Sequence, residues 1–398
     1  MALLPVDDAL KLLLDQVSPS KGELEVGLKA AFGATLSRDV FSAINVPPMA
    51  NSAMDGYAIR HEDLADRSSV PVSDFIPAGS VGRPLVSGSA ARIFTGAALP
   101  VGADTVVIQE NVVEADGEIA VQVLPSFGDN VRPVGQDISK GERVLKAGRR
   151  LLPQDVSLLA SIGLSQVNIV KPLTVAIFST GDELIDPPLP LQPGQIYNSN
   201  RYALTGLLQQ MGMQVIDLGV VADTATATEK ALIRAAQESD CIFSSGGVSV
   251  GELDFVKAAV EKLGRIELWK LAIKPGKPLA FGSVSGTPFF GLPGNPVSTF
   301  VTFLILAKPF LLALQGQSDV LPEYFWGTAD FDFGAGSRRQ YLRVRAQASD
   351  VGHLLTRFDN QGSGVMSSVS WANALAQVEM GQSVRPGDKL RFLKIDNQ

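Results

Sequence analysis

The chain alternates apolar, strand-like runs with amphipathic helical segments between Leu173 and Gln315. Runs such as LTVAIFST and DCIFSSGG are short and end in small polar residues, whereas ATEKALIRAAQES has helical spacing. This alternation predicts a parallel, doubly wound α/β domain, and no other feature constrains the fold as much. Lys308 and Pro309 interrupt the apolar run of its last helix, so we expect a buried helix and no membrane segment.

The segments on either side have different patterns. Before residue 42, Val6, Ala9 and Leu13 share one helical face, and LLPQDVSLLASIG returns to helical spacing. Elsewhere, short β-rich runs alternate with glycine and proline turns. We therefore predict four domains: an N-terminal helical unit (1–44 plus 142–168), an inserted β-rich domain (45–141), a central doubly wound α/β domain (169–316) and a C-terminal β domain (317–398).

The composition limits the chemistry. A formal net charge of −7 does not favour nucleic acid. One cysteine and two histidines exclude an internal disulfide and disfavour zinc and Ser-His-Asp centres, so a metal here would be a hard ion such as Mg²⁺ held by carboxylates. Asp7 and Asp8 stand where a signal peptide has basic residues, and we expect a cytoplasmic protein.

Polar residues follow the predicted strands of the α/β domain. Open α/β sheets bind ligands at the carboxyl ends of their strands. The run SSGGVSVGELD offers backbone amides and serine hydroxyls to a phosphate, with Asp254 available for Mg²⁺. Asp182 and Glu183 follow the first strand, and Asp223 lies near the end of the second. The alternative is an ordinary strand-to-helix turn with solvated acids, and no Walker-type GxxxxGK[ST] motif occurs.

Basic residues form two candidate anion sites. Lys274 and Lys277 lie in a proline-stiffened loop, where two ammonium groups suit a small multivalent anion, although solvated lysines in a connecting loop fit equally well. In SRRQYLRVR, strand alternation places Arg343 and Arg345 on one face. For the first two arginines of this run, a solvated edge strand is the preferred interpretation.

These residues lie in motifs that closely resemble the molybdopterin molybdenumtransferase family, of the bacterial MoeA and gephyrin E-domain type. The resemblance covers nearly the whole chain, in NSAMDGYAIR, RIFTGAALPVGADTVV, GQDISKG, FSTGDEL, GQIYNSN, SSGGVSVGELDFVK, KLAIKPGKP and GLPGNPVS. The combination of SSGGVSVGxxDF, KPGKP and SAMDGYA is highly specific. The central domain alone, which the resemblance implies is of the molybdopterin-binding type, is less specific, because molybdopterin adenylyltransferases share its fold.

The resemblance implies a homodimer that combines molybdate with adenylyl-molybdopterin and releases AMP, assisted by Mg²⁺. A molybdopterin adenylyltransferase is the implied candidate partner, with neither nucleic acid nor membrane involved. The implied catalytic residues are Asp254, Asp223, Asp182, Glu183 and Asp55, and the metal ligands among them are Asp182, Glu183 and Asp254. The implied molybdopterin-binding residues are Ser245, Gly246, Gly247, Ser249, Thr95, Asp137, Pro293 and Pro296. The implied molybdate ligands are Lys274, Lys277, Pro278, Arg343 and Ser368.

The inserted domain departs from the family at one position. Asp55, Thr95 and Asp137 are implied to reach the partner's site across the dimer. Gln136 stands where the family commonly has glutamate, which leaves Asp137 without a paired carboxylate.

Two other functions stay open. One is adenylyl transfer from ATP to molybdopterin, against which the additional β domains and the KPGKP loop argue. The other is a non-catalytic scaffold, against which Asp182, Asp254 and both lysines argue.

Overall fold

The computed structural model describes residues 3–20, 22–65, 69–246, 255–350 and 352–395, with Leu268 described by its backbone only. It has an α/β domain, two β-rich domains and a small N-terminal unit, which confirms the predicted multidomain α/β fold class.

The N-terminal unit is less helical than predicted. Its first elements are α1 (Val6–Leu14), β1 (Glu23–Gly27), a 3₁₀ turn (Leu28–Ala30) and β2 (Val40–Phe41). Helix α1 buries Val6, Ala9 and Leu13 in the core of the α/β domain rather than in its own unit. The helical prediction for residues 23–41 is wrong, because this segment finds hydrogen-bonding partners in strands more than 100 residues away.

The inserted domain is built on a six-stranded sheet. Its elements are β3 (Asn51–Ser52), β4 (Gly56–Ile59), a 3₁₀ turn (His61–Leu64), β5 (Val70–Ile76), β6 (Ala90–Ile93), β7 (Thr105–Ile108), a 3₁₀ turn (Gln109–Asn111), β8 (Val112–Ala115), β9 (Glu118–Val121) and β10 (Val131–Arg132). The strand order is β7-β4-β6-β5-β9-β8, and β3 pairs with β10. Two apolar clusters, one on each side of β4, form its core.

The chain then returns to the N-terminal unit. The returning elements are β11 (Arg143–Leu145), α2 (Pro153–Ser161) and β12 (Gln166–Val170). Strand β11 pairs with β2, and β12 pairs antiparallel with β1 along its whole length. The strands on either side of the insertion therefore pair with each other, at the point where the chain leaves the N-terminal unit and returns to it.

The α/β domain has a mixed rather than wholly parallel sheet. Its elements are β13 (Thr174–Thr180), β14 (Leu184–Ile185), β15 (Ile196–Tyr197), α3 (Ser199–Gln210), β16 (Gln214–Val221), α4 (Ala225–Glu238), β17 (Cys241–Ser245), α5 (Phe255–Leu263), β18 (Gly264–Lys270), β19 (Ile273–Lys274), β20 (Pro278–Val284), β21 (Thr287–Leu292), α6 (Pro296–Thr302) and α7 (Lys308–Leu314). In the order β16-β13-β17-β21-β20-β18, the first four strands pair in parallel. Strand β20 runs antiparallel to both of its neighbours, β21 and β18. The prediction of a parallel sheet is wrong for this edge, because a two-residue turn joins β20 to β21 and forces a hairpin.

One continuous helix, Pro296–Leu314, lies in the core of the α/β domain. A π-helical segment, Phe303–Ala307, joins α6 to α7. By length and composition the helix is apolar enough to cross a membrane, but 83% of its most apolar window is buried inside the protein. The prediction of a buried helix is confirmed, because these side chains pack against the sheet and α1.

The C-terminal domain is a closed barrel. Its elements are β22 (Phe325–Ala329), β23 (Arg339–Ser349), β24 (Gly352–Arg357), α8 (Met366–Trp371), β25 (Ala374–Val378) and β26 (Lys389–Lys394). Strand β23 pairs with both β24 and β25, which closes the ring β23-β24-β22-β26-β25. Strand β19 of the α/β domain adds to β23 in parallel, with Lys274 opposite Gln340. This pairing brings the KPGKP loop to the barrel.

Candidate active site

A cleft of about 830 Å³ lies between the carboxyl ends of β13, β17 and β21 and the start of β23 in the barrel. The parallel strands of the sheet place their carboxyl ends at one edge, as the topology of open α/β sheets requires. The candidate residues from the sequence that line it are Glu183, Ser245, Gly246, Lys274, Lys277, Pro278, Pro293 and Arg343.

The ends of β13 and β17 approach each other closely at the floor of the cleft. Gly246 has φ +89°, and a Cβ there would lie 2.8 Å from the carbonyl oxygen of Thr180. The hydroxyls of Ser179 and Ser245, both buried, are 2.8 Å apart. Only glycine fits this turn, which is what the double glycine predicted. Gly247, Ser249 and Asp254 lie outside the described residues, and their roles stay predictions.

The loop that carries the two lysines is packed against α6. Gly276 has φ +104°, and a Cβ there would overlap the hydroxyl of the buried Thr302. The loop is closed at its base by a hydrogen bond of 2.7 Å from the Leu271 amide to the Lys277 carbonyl oxygen. Lys274 and Lys277 keep exposed side chains at the cleft, whereas the two residues between them are buried. The loop is thus anchored by its middle and presents its charges at both ends.

Arg343 is the most unusual residue of the cleft, since its side chain is only 1% exposed. Its Nε donates to Ser368 Oγ at 3.0 Å, and its guanidinium also donates to the carbonyl oxygens of Gly362 and Tyr341 at 3.1 and 3.4 Å. Burial lowers the pKa of Arg343 to about 10, and the guanidinium stays charged at neutral pH. Within the described part of the chain its partners are neutral oxygens, with no carboxylate among them.

The backbone of Arg343 is held as firmly as its side chain. The amide of Arg343 donates to Gln361 Oε1 and its carbonyl accepts from Gln361 Nε2, both at 3.0 Å. Ser368 is buried in α8 and does not line the cleft itself; its hydroxyl accepts from the guanidinium. Arg345, two positions along β23, is exposed and stacks on Trp371, with 4.8 Å between its Cζ and the ring centroid.

The structure differs from the sequence interpretation at the two arginines where β23 begins. Arg338 is half-buried, lines the cleft and donates from Nη1 to the Ile273 carbonyl oxygen at 2.9 Å. Arg339 lies outside the cleft and forms ion pairs with Asp7 at 2.7 Å and Glu379 at 3.0 Å. Neither is a simply solvated edge residue, because β19 pairs with β23 and covers this end of the strand.

Asn200 is a further cleft residue that the sequence interpretation missed. It is buried at the start of α3, and its Nδ2 donates to the Gly294 carbonyl oxygen at 2.8 Å. The signal for it was the NSN triplet that follows β15, in which Asn198 caps the same helix. Asn200 therefore ties α3 to the loop that contains Pro293.

The acidic candidates are spread rather than clustered. Glu183 lines the cleft, whereas Asp182 and Asp223 are exposed and are not among its lining residues. No group of three His, Cys, Asp or Glu side chains within the described ranges is placed to hold a metal ion. The pair Asp182-Glu183 offers two adjacent carboxylates, which suits a hard ion that takes its other ligands from water and substrate oxygens.

The remaining candidates do not line the cleft of their own chain. Asp55 Oδ1 accepts hydrogen bonds from the Thr95 amide at 2.8 Å and the Thr95 hydroxyl at 2.7 Å, and these bonds hold the pKa of Asp55 below its ordinary value. Asp137 has an exposed side chain, and Pro296 is the first residue of α6. The described lining of the cleft contains none of these four residues.

Comparison with known proteins identifies the family. Residues 4–163 match the MoeA N-terminal region (domain I and II), residues 176–313 match a probable molybdopterin binding domain, and residues 327–395 match the MoeA C-terminal region (domain IV). The molybdopterin molybdenumtransferase of Haemophilus influenzae is 45% identical over 383 residues, which cover 95% of each chain. The protein of the same name from Nostoc sp. is 36% identical over 374 residues, which cover 90% of this chain and 85% of that one.

A solved structure agrees. The molybdopterin biosynthesis MoeA protein of Pyrococcus horikoshii superposes with a TM-score of 0.85 at 28% sequence identity, covering 99% of this chain and all of that one. With all three regions matched and high identity over nearly its full length, this chain belongs to the molybdopterin molybdenumtransferase (MoeA) family of molybdenum cofactor biosynthesis.

Proposed function

We propose that this protein inserts molybdate into adenylyl-molybdopterin and releases AMP. The names of its relatives support transfer of molybdenum to molybdopterin. The single observation that carries the proposal is the buried charge of Arg343 at the wall of the cleft.

A buried guanidinium without a carboxylate is costly. Arg343 is protonated at neutral pH, and its described partners are a hydroxyl and two carbonyl oxygens. Removing a charge from water without an opposite charge costs several kcal/mol in a protein interior. An anion bound in the cleft would offset this cost. Lys274 and Lys277 line the same cleft and supply two more positive charges, which suits a tetrahedral dianion such as molybdate.

The opposite side of the cleft suits the nucleotide. The floor there is made by Thr180, Ser245 and Gly246, and the predicted phosphate-binding glycines follow directly. Because molybdate must reach the dithiolene, the pterin has to lie at the cationic side and the adenylate at the strand ends. Asp254 and Ser249 are proposed to contact the phosphate at that end, with Pro293 beside it and Asp223 as a further catalytic carboxylate.

The proposal includes Mg²⁺. Asp182 and Glu183, with Asp254, would hold it, and when bound it would neutralise charge on the phosphoanhydride. The two adjacent carboxylates fit a weakly held ion, since they leave ligand positions for substrate oxygens. Of the three carboxylates, Glu183 lines the same cleft as Lys274 and Lys277, so the protein would hold the metal and the oxyanion at one cleft.

We further propose that the protein works as a cytoplasmic homodimer that receives its substrate from a molybdopterin adenylyltransferase. Asp55, with its carboxylate fixed by Thr95, would complete the partner's cleft together with Asp137. The position of Asp55 away from the cleft of its own chain supports this arrangement.

Mixing two impaired variants, at a molybdate concentration too low for Lys277→Ala to turn over, tests the shared site. In a heterodimer of Asp55→Asn and Lys277→Ala protomers, one site carries both substitutions and the other carries neither. We expect mixing to restore activity from one intact site per heterodimer, whereas a site built from one chain would stay inactive. Light scattering on the mixture checks the dimer itself.

The proposed reaction has a direct assay. Purified protein is incubated with adenylyl-molybdopterin, molybdate and Mg²⁺, and AMP is followed. Molybdate-dependent AMP release supports the proposal. ATP consumption with molybdopterin would instead identify adenylyl transfer. The absence of both AMP release and ATP consumption would favour a non-catalytic scaffold.

A further inference from the structure

Arg338 lies at the same cleft but is separate from the arginine that carries the proposed oxyanion site. Its guanidinium donates from Nη1 to the carbonyl oxygen of Ile273, the residue just before Lys274. This single bond orients the head group and leaves its other N–H donors free of any protein acceptor within the described ranges. The side chain is half-buried, whereas Arg343 is almost fully buried.

The neighbouring arginine shows that this orientation is specific. Arg339 turns out of the cleft, and two carboxylates, Asp7 and Glu379, neutralise it. Arg338, next to it in sequence, has no carboxylate within ion-pair distance in the described part of the chain. Of these two adjacent arginines, the structure neutralises Arg339 and leaves Arg338 charged at the cleft.

Arg338 and Arg343 hold their head groups at different places in the cleft. Arg338 precedes β23, whereas Arg343 lies within that strand. Their head groups are also fixed to different carbonyl oxygens, on β19 and beside α8. A tetrahedral oxyanion bound at Arg343 therefore leaves Arg338 without a counter-charge.

The charges along the cleft indicate a second anion. Its described lining carries four basic residues and one carboxylate, namely Lys274, Lys277, Arg338, Arg343 and Glu183. A dianion neutralises two positive charges. A guanidinium with a free edge forms two parallel hydrogen bonds to a phosphate, a geometry that an ammonium cannot provide.

We propose that Arg338 binds the diphosphate of the adenylylated substrate as a second anion, bound at the same time as the oxyanion at Lys274, Lys277 and Arg343. This inference rests on the proposed function, which places a diphosphate between the pterin and the adenosine. It makes Arg338 a substrate-binding residue and assigns the two anions to different arginines.

The test measures two anions separately on three variants. Inorganic pyrophosphate and molybdate are each titrated by calorimetry into wild type, Arg338→Gln, Arg338→Lys and the control Arg339→Gln. We expect Arg338→Gln to weaken pyrophosphate binding about tenfold to a hundredfold and molybdate binding by less than about threefold. Arg338→Lys should recover only part of the loss, because the paired hydrogen bonds are gone. Arg339→Gln should bind both anions like wild type.

A competition experiment completes the test. Saturating molybdate should leave pyrophosphate affinity within about threefold of its value alone, since the two anions occupy different positions. Displacement of one by the other, an equal loss of both anions in Arg338→Gln, or unchanged pyrophosphate binding in that variant would overturn the inference while the oxyanion site stands. A wild-type protein that binds no molybdate at all would instead remove the proposed function, and the inference with it.

Discussion

Replacing Arg343 with methionine should weaken molybdate binding without lowering the stability of the fold. Burial lowers the pKa of Arg343 to about 10, well below its ordinary value. At about 1.4 kcal/mol per tenfold change, burial disfavours the charged form by a few kcal/mol. Because the folded pKa lies below the unfolded one, this penalty is constant at every pH below about 10. It is relieved only as the pH rises above that value.

Methionine is unbranched and has no charge to bury. The loss of three hydrogen bonds offsets part of the gain, and Ser368 keeps its bond to the Val365 carbonyl oxygen at 2.6 Å. We therefore expect Arg343→Met to leave the free energy of unfolding unchanged or to raise it by about 1–2 kcal/mol. Its affinity for molybdate should fall about tenfold to a hundredfold.

Urea unfolding with and without molybdate measures both effects. At a hundred times its Kd, molybdate should stabilise the wild type by about 2.7 kcal/mol, and a variant with hundredfold weaker binding by only about 0.4 kcal/mol. Arg345→Met is the matched control, because this arginine is exposed on the same strand. If Arg343→Met lost more than about 2 kcal/mol of stability and bound molybdate normally, Arg343 would be a structural residue and the reasoning would fail.

Three further predictions concern the rest of the cleft. Lys277→Ala should raise the molybdate concentration for half-maximal AMP release about tenfold to a hundredfold, and Lys277→Arg should restore it only in part; an unchanged molybdate titration would place the oxyanion elsewhere. Asp254→Ala should fold normally by circular dichroism but lose AMP release by about a hundredfold or more, and near-normal release would remove its assignment. Chelation should abolish turnover and Mg²⁺ should restore it, because the proposed ligands are carboxylates; tightly bound stoichiometric zinc would contradict this.

The candidate site was predictable where its signal is local. The glycine at the end of β17 and the prolines around the two lysines can be recognised in short runs of sequence. In the structure, Gly246 and Gly276 have positive φ values and leave no room for a Cβ atom. Asp55 and Thr95 lie 40 residues apart, yet both fall in recognisable motifs. Asn200 also lay in such a motif, but its bond to Gly294 joins segments 94 residues apart and has no local signal.

Arg338 shows why the remainder could not be predicted. The sequence does not say which of the adjacent Arg338 and Arg339 meets carboxylates and which meets a cleft. That depends on Asp7, at the opposite end of the chain, and on Ile273, 65 residues earlier. Both contacts exist only after α1 has packed on the α/β domain and β19 has paired with β23.

By itself, the sequence predicted four domains, and its motifs indicated the family. It also predicted the strand ends of the central domain and the buried helix, because hydrophobic period and turn residues act over a few positions. The tertiary structure decided which strands run antiparallel, where the barrel closes and which charges share a cleft. Those outcomes depend on hydrogen bonds between strands distant in sequence, such as β1 with β12 and β19 with β23, and no local pattern encodes a partner that far away.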